Sequence, residues 1–244
     1  MADIIDYKIY GDDMQLVEIE LDPKEGVRTE AGALMYMDND IEMQTKAEGG
    51  IFKGFKRTMV GESFFITNFV NSGSGKARVA FSAPYPGKII PVNLFEFNGK
   101  FICQKNSYLC SANGIEIEIQ LVKKIGTGLF GGEGFILQRL EGYGMAFIHA
   151  GGTIIEKFLE PGETLRVDTG CIVGFPPTVD YDIKFIGGFK NALFGGEGIF
   201  LTQLTGPGKV YLQSLPFSRL ADRVIQAARF TNKDETKRFS GGFF

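Results

Sequence analysis

The 244-residue sequence predicts an all-β fold: antiparallel β units of β-sandwich type, repeated in tandem around a pseudo-threefold axis and followed by one C-terminal helix. Three observations lead there. Glycine is abundant, 33 residues, without a collagen-like period and among many β-branched and aromatic residues, so it serves turns between short strands. The segment Leu129-Phe-Gly-Gly-Glu-Gly134 recurs unchanged as Leu193-Phe-Gly-Gly-Glu-Gly198, an offset of 64 residues. Apolar Ile115, Ile117, Ile119 and Leu121 alternate with polar Glu116, Glu118 and Gln120, the period-two pattern of half-buried antiparallel strands.

The repeat sets the order of elements. At the same offset Phe101, Cys103 and Leu109 align with Leu165, Val167 and Val173, and Gly142-Tyr-Gly144 aligns with Gly206-Pro-Gly208. A more diverged copy lies upstream, where Gly61-Glu62-Ser63-Phe64-Phe65 and Gly73-Ser74-Gly75-Lys76 take the same places. The expected units are residues 15–84, 85–148 and 149–215. Each begins its alternating strand at a comparable point: Ile41, Met43 and Thr45; Ile115 to Leu121; Val179, Tyr181, Ile183 and Phe185. The Gly-Gly-Glu-Gly turn follows, then an apolar run such as Phe135 to Leu140, a Gly-x-Gly, and a final strand such as Met145 to Ile148. A Gly-x-Gly between apolar runs reads as a hairpin. One unit is too small to bury its own apolar face, whereas three packed together bury a common one.

Residues 217–230 read as a helix, with Leu220, Val224 and Ala227/Ala228 on one stripe and Ser218 as N-cap. Residues 231–244 are polar until Gly241-Gly-Phe-Phe and are expected to form a mobile tail.

Composition removes several function classes. The net charge is −3, from 26 Lys+Arg and 29 Asp+Glu, so no nucleic-acid partner is expected. The one histidine, His149, excludes a multi-histidine zinc centre within a single chain. Cys103, Cys110 and Cys171 are odd in number and follow no metal-ligand spacing, which suits reduced thiols in a cytoplasmic protein. No apolar run is long enough to span a bilayer, and the opening Met-Ala-Asp-Ile-Ile-Asp lacks the basic and apolar regions of a signal peptide.

Candidate sites are few. Glu62, Glu133 and Glu197 share one place in the repeat. Three such carboxylates near an axis would suit a small ligand or hard cation, while the structural alternative is that each accepts N–H groups of its own turn. The glycines around them serve turns rather than a phosphate cradle, since strands follow and no Gly-Lys-Ser/Thr is present. Phe52, Lys53, Phe55, Lys56 and Arg57 interleave aromatic and basic side chains, the chemistry of contact with a partner or an anionic membrane surface. The alternative there is a hairpin with Phe inward and Lys in water. His149 aligns with Gln213 and has no Ser, Cys or Asp motif beside it, so it is read as structural rather than as a base. Cys103 and Cys110 are separated by too many residues for a redox pair.

Leu193-Phe-Gly-Gly-Glu-Gly-Ile-Phe-Leu-Thr202, Gly206-Pro-Gly208, Tyr211-Leu-Gln-Ser-Leu-Pro-Phe-Ser-Arg-Leu-Ala221 and Ile102-Cys-Gln-Lys105 resemble bacterial members of the mitochondrial-biogenesis Aim family, over Met14 to Phe230. The resemblance implies an all-β fold similar to that of the tryptophan RNA-binding attenuation protein (TRAP), a double-stranded β-helix type, repeated in tandem. Fungal members of the family sit in mitochondria and support inner-membrane organisation. Bacterial members have no established biochemical activity, so the resemblance implies no catalytic set. The expected function is a non-enzymatic, homo-oligomeric β scaffold or binding module without a cofactor. The alternatives are a small-ligand or metal-binding β-barrel and a peripheral membrane protein.

Overall fold

A computed structural model of the chain describes residues 2–30, 32–45, 66–123, 135–185 and 200–240. The strands are β1 (Asp6–Tyr10), β2 (Leu16–Leu21), β3 (Gly26–Glu30), β4 (Leu34–Met37), β5 (Ile41–Thr45), β6 (Ile66–Asn71), β7 (Ala77–Ser82), β8 (Gly87–Asn93), β9 (Lys100–Gln104) and β10 (Tyr108–Ala112). They continue as β11 (Glu116–Lys123), β12 (Phe135–Glu141), β13 (Met145–Gly151), β14 (Ile154–Leu159), β15 (Thr164–Asp168), β16 (Ile172–Phe175), β17 (Asp180–Phe185), β18 (Phe200–Thr205) and β19 (Gly208–Gln213). Helix α1 (Phe217–Ser240) closes the described chain. It runs beyond Phe230 because residues 231–240 hold neither Gly nor Pro to stop it, and the first glycine comes at position 241. No helix among the described residues is long and apolar enough to cross a membrane.

Every ladder between these strands is antiparallel, and the described residues are all-β apart from α1 and short 3-10 turns. Two six-stranded sheets have the orders β5-β6-β3-β10-β13-β8 and β11-β12-β9-β16-β19-β14. The second is the first moved along the chain by six strands. The remaining strands form a three-stranded sheet, β15-β18-β17, and a four-stranded one, β1-β2-β7-β4.

Alternation explains why the sheets stack. Val17, Ile19 and Leu21 of β2 are fully buried while Glu18 and Glu20 between them face outward. One core joins Val79 and Phe81 of the four-stranded sheet, Val27, Phe69, Ala146 and Ile148 of the first six-stranded sheet, and Phe101 and Leu140 of the second. A second core joins Ile102, Phe135 and Leu137 of that last sheet to Val167, Ile183 and Leu204 of the three-stranded one. Burying each such side chain contributes about 1.5–3 kcal/mol. Rings meet edge-on inside, as Phe69 and Phe81 do with centroids 5.4 Å apart.

The Gly-x-Gly segments are not hairpins. Gly142-Tyr-Gly144 joins β12 to β13, which lie in different sheets. Both edges of β12 are already taken, by β11 and β9, so β13 has no place beside it. The segment instead carries the chain from one sheet to the next. Gly206-Pro-Gly208 does the same between β18 and β19, as does Gly73-Ser-Gly75 between β6 and β7. The crossing is tight: Gly208 has φ +152°, and a Cβ there would stand 2.7 Å from Val179 Cγ2.

Candidate functional site: an open seam between two sheets

Glu62, Glu133 and Glu197, and the segment holding Phe52, Lys53, Phe55, Lys56 and Arg57, lie outside the described residues. Among the described residues no group of three or more His, Cys, Asp or Glu side chains is placed to hold a metal ion. His149 lies in β13 with 1% of its surface exposed, its ring edge-on to Tyr85 at a centroid distance of 4.4 Å. Burial pushes its pKa down to about 4, and a backbone contact with Tyr85 opposes that only in part. A neutral imidazole sealed in this way meets no substrate arriving from solvent. Cys103 and Cys110 are buried free thiols whose pKa values burial pushes up, so neither carries the thiolate needed for redox chemistry.

The feature that does stand out is where two sheets fail to join. In the first six-stranded sheet, β10 lies between β3 and β13, with Cys110, Ser111 and Ala112 opposite Thr29, Arg28 and Val27. In the second, β16 lies between β9 and β19, with Gly174 and Phe175 opposite Cys103 and Ile102. The corresponding strand of the four-stranded sheet is β4. It pairs with β7 on one side, and no described strand pairs with its other side. The correspondence rests on a shared irregularity. The register slips between Tyr108 and Cys110 against β13, between Ile172 and Gly174 against β19, and between Leu34 and Tyr36 against β7. A turn follows each strand at the same spacing, in which Ile41 N–H donates to Asp38 O, Ile115 N–H to Ala112 O, and Val179 N–H to Pro176 O.

The burial of these counterparts differs sharply. Tyr108, Leu109, Cys110 and Ser111 are at most 5% exposed, as are Ile172, Val173 and Phe175. Leu34, Met35, Tyr36 and Met37 are 38%, 56%, 42% and 41% exposed. The Tyr36 hydroxyl donates to Glu18 Oε2 of β2, and that bond to a carboxylate, more than burial, pushes the phenol pKa up to about 12. Tyr10 donates to the other oxygen of Glu18 at 3.1 Å.

The strand that would meet β4 by the same rule is β15, the counterpart of β3 and β9. It pairs with β18 and with no other described strand. Leu165 and Val167 point into the second core, while Arg166 is exposed. At its end, Asp168 accepts from Gly170 N–H at 2.9 Å and from Arg219 of α1 at 3.5 Å. Sequence reasoning missed this seam, although a signal was present. Leu34-Met35-Tyr36-Met37 is four apolar residues in a row, with none of the Lys, Glu or Pro that ordinarily guards an edge strand.

A protein-family model described as mitochondrial biogenesis AIM24 matches residues 7–215. An uncharacterised protein of Streptococcus pyogenes serotype M6 is 31% identical over 214 residues, which cover 84% of each chain. The crystal structure of a Streptococcus pyogenes protein, a structural-genomics target, is similar with a TM-score of 0.74 and 26% identity, over 91% of this chain and 99% of that one.

Proposed function

The chain belongs to the mitochondrial-biogenesis AIM24 family, and from that premise we propose that it is a non-enzymatic β scaffold that works by assembling with copies of itself. The observation that carries this reading is the exposed apolar edge of β4, whose counterparts β10 and β16 are buried between neighbouring strands. A bare sheet edge offers a row of N–H and C=O groups to any strand that reaches it, and side chains like those of Leu34 and Met37 reward whatever covers them. His149 and the two buried thiols serve packing, and no cofactor enters the reading. The free thiols support a reducing, cytoplasmic setting. The excess of acidic residues supports a partner that is protein rather than nucleic acid.

Native mass spectrometry of the gently purified protein tests this. Species at integral multiples of the chain mass, above one, are expected at micromolar concentration. A single species at the mass of one chain would overturn the scaffold reading, and an added mass lost on denaturation would replace it with ligand binding.

A further inference from the structure

We propose that β4 of one copy pairs with β15 of a second copy, in antiparallel register, with Tyr36 opposite Val167, Met37 opposite Arg166 and Asp38 opposite Leu165. This rests on the self-assembly reading and names the joint that performs it. The register follows from ladders within the chain. The slip in each strand places Tyr36 and Met37 where Cys110 and Ser111 stand in β10, and where Gly174 and Phe175 stand in β16. Those residues face Thr29 and Arg28 of β3 in the first joint, and Cys103 and Ile102 of β9 in the second. The offset of 64 residues carries Cys103 and Ile102 onto Val167 and Arg166 of β15.

A second observation, the side-chain chemistry at that register, points to the same partner. The first joint is fastened by Arg28. Its guanidinium donates to Asn113 Oδ1 at 3.1 Å and to Ile115 O at 3.0 Å, both in the turn just after β10. The turn just after β4 is built alike, and it places Asn39 and Ile41 at the positions of Asn113 and Ile115. The residue of β15 at the position of Arg28 is Arg166. The open seam therefore holds both halves of the same fastening: an exposed arginine on one edge, and an exposed asparagine followed by a turn carbonyl on the other. Asp38 and Asp40, which flank Asn39, complement the charge of Arg166.

The occupant is a second copy because β4 and β15 of one chain each keep one side unpaired among the described strands and do not pair with each other. Two copies related by a twofold axis satisfy both seams at once, β4 of each against β15 of the other.

Disulfide trapping tests the joint on the full chain, with Cys171→Ser as background so that the remaining thiols are buried. Tyr36→Cys and Val167→Cys are made in separate chains, mixed and oxidised. The expected result is a cross-linked dimer from the mixture and none from either variant alone. A cross-link only within single chains carrying both substitutions would show that the seam closes on its own β15, and would overturn the proposal. No cross-link in either format would overturn it as well. If native mass spectrometry shows an oligomer that does not cross-link, the joint is wrong while the scaffold reading stands. A monomer in that measurement removes both. Arg166→Ala, at an exposed position that leaves the fold intact, should weaken the dimer about tenfold by removing two hydrogen bonds from a charged donor. An unchanged dimer constant would eliminate the fastening.

Discussion

Strands β10 and β4 follow the same path and carry the same register slip and the same closing turn, yet one is sealed and the other is bare. Leu109 at the slip of β10 is 3% exposed, and its counterpart Met35 is 56% exposed. Sequence does not explain the contrast through polarity, since Leu34-Met35-Tyr36-Met37 is more uniformly apolar than Tyr108-Leu109-Cys110-Ser111. The difference lies in what stands beyond the edge: β3 beside β10, and no described strand beside β4. Burial in a β-sheet is thus a property of the joint rather than of the strand, and an apolar strand without its joint is a surface awaiting a partner.

Three measurements would break or sharpen that contrast. The largest effect is expected from a charge placed at the slip. Leu109→Asp buries a carboxylate without a partner and should cost on the order of 4 kcal/mol in urea unfolding, whereas Met35→Asp should change the stability of the isolated chain by about 0.5 kcal/mol or less. Equal losses would mean that the seam is sealed in solution.

The next effect concerns His149, whose place one set of strands later is taken by Gln213. Gln213 is fully engaged, donating to Gly170 O at 3.0 Å and accepting from Gly151 N–H at 2.9 Å. The pKa of His149 falls from 6.5 to about 4 on folding, so the unfolded chain binds the proton first as pH drops. Its contribution is full above pH 6.5 and is lost as pH falls from there toward 4, amounting to about 3 kcal/mol. His149→Gln should flatten the dependence of unfolding free energy on pH across this window. A slope unchanged by that substitution would show that other groups carry it.

The third compares the two arginines. Arg28→Ala removes both bonds of a fastening that is 7% exposed and should cost about 2–3 kcal/mol. Arg166→Ala should leave the single chain within about 0.5 kcal/mol of the parent, and its effect should emerge only in association. A large loss of chain stability at Arg166 would place its partner inside the same chain.

Much of the architecture was legible in the sequence, because period-two alternation is a local signal. Ile117 and Ile183 face a core as their spacing demanded, and the offset that aligned Cys103 with Val167 reappears as matching places in successive sheets. The Gly-x-Gly segments misled because a tight turn has the same composition whether it returns to its own sheet or crosses to another. What decided the matter was the occupancy of both edges of β12, by β11 on one side and β9 on the other. The seam was hidden for the same reason: whether an apolar run finds a neighbour depends on the far end of the chain. The carboxylates Glu62, Glu133 and Glu197 stood out through repetition alone, and they fall outside the described residues.

The Gly-x-Gly crossings have a consequence for how the molecule comes apart. The second six-stranded sheet gives Phe101 and Leu140 to one core and Ile102, Phe135 and Leu137 to the other, so it cannot be lost without opening both. The first core draws on residues from Ala2 to Tyr211, and the second joins Ile102 of β9 to Val210 of β19, so no short contiguous segment owns a complete core. The chain therefore unfolds as one cooperative unit, and proteolysis at the repeat boundaries yields fragments that unravel rather than smaller folded bodies.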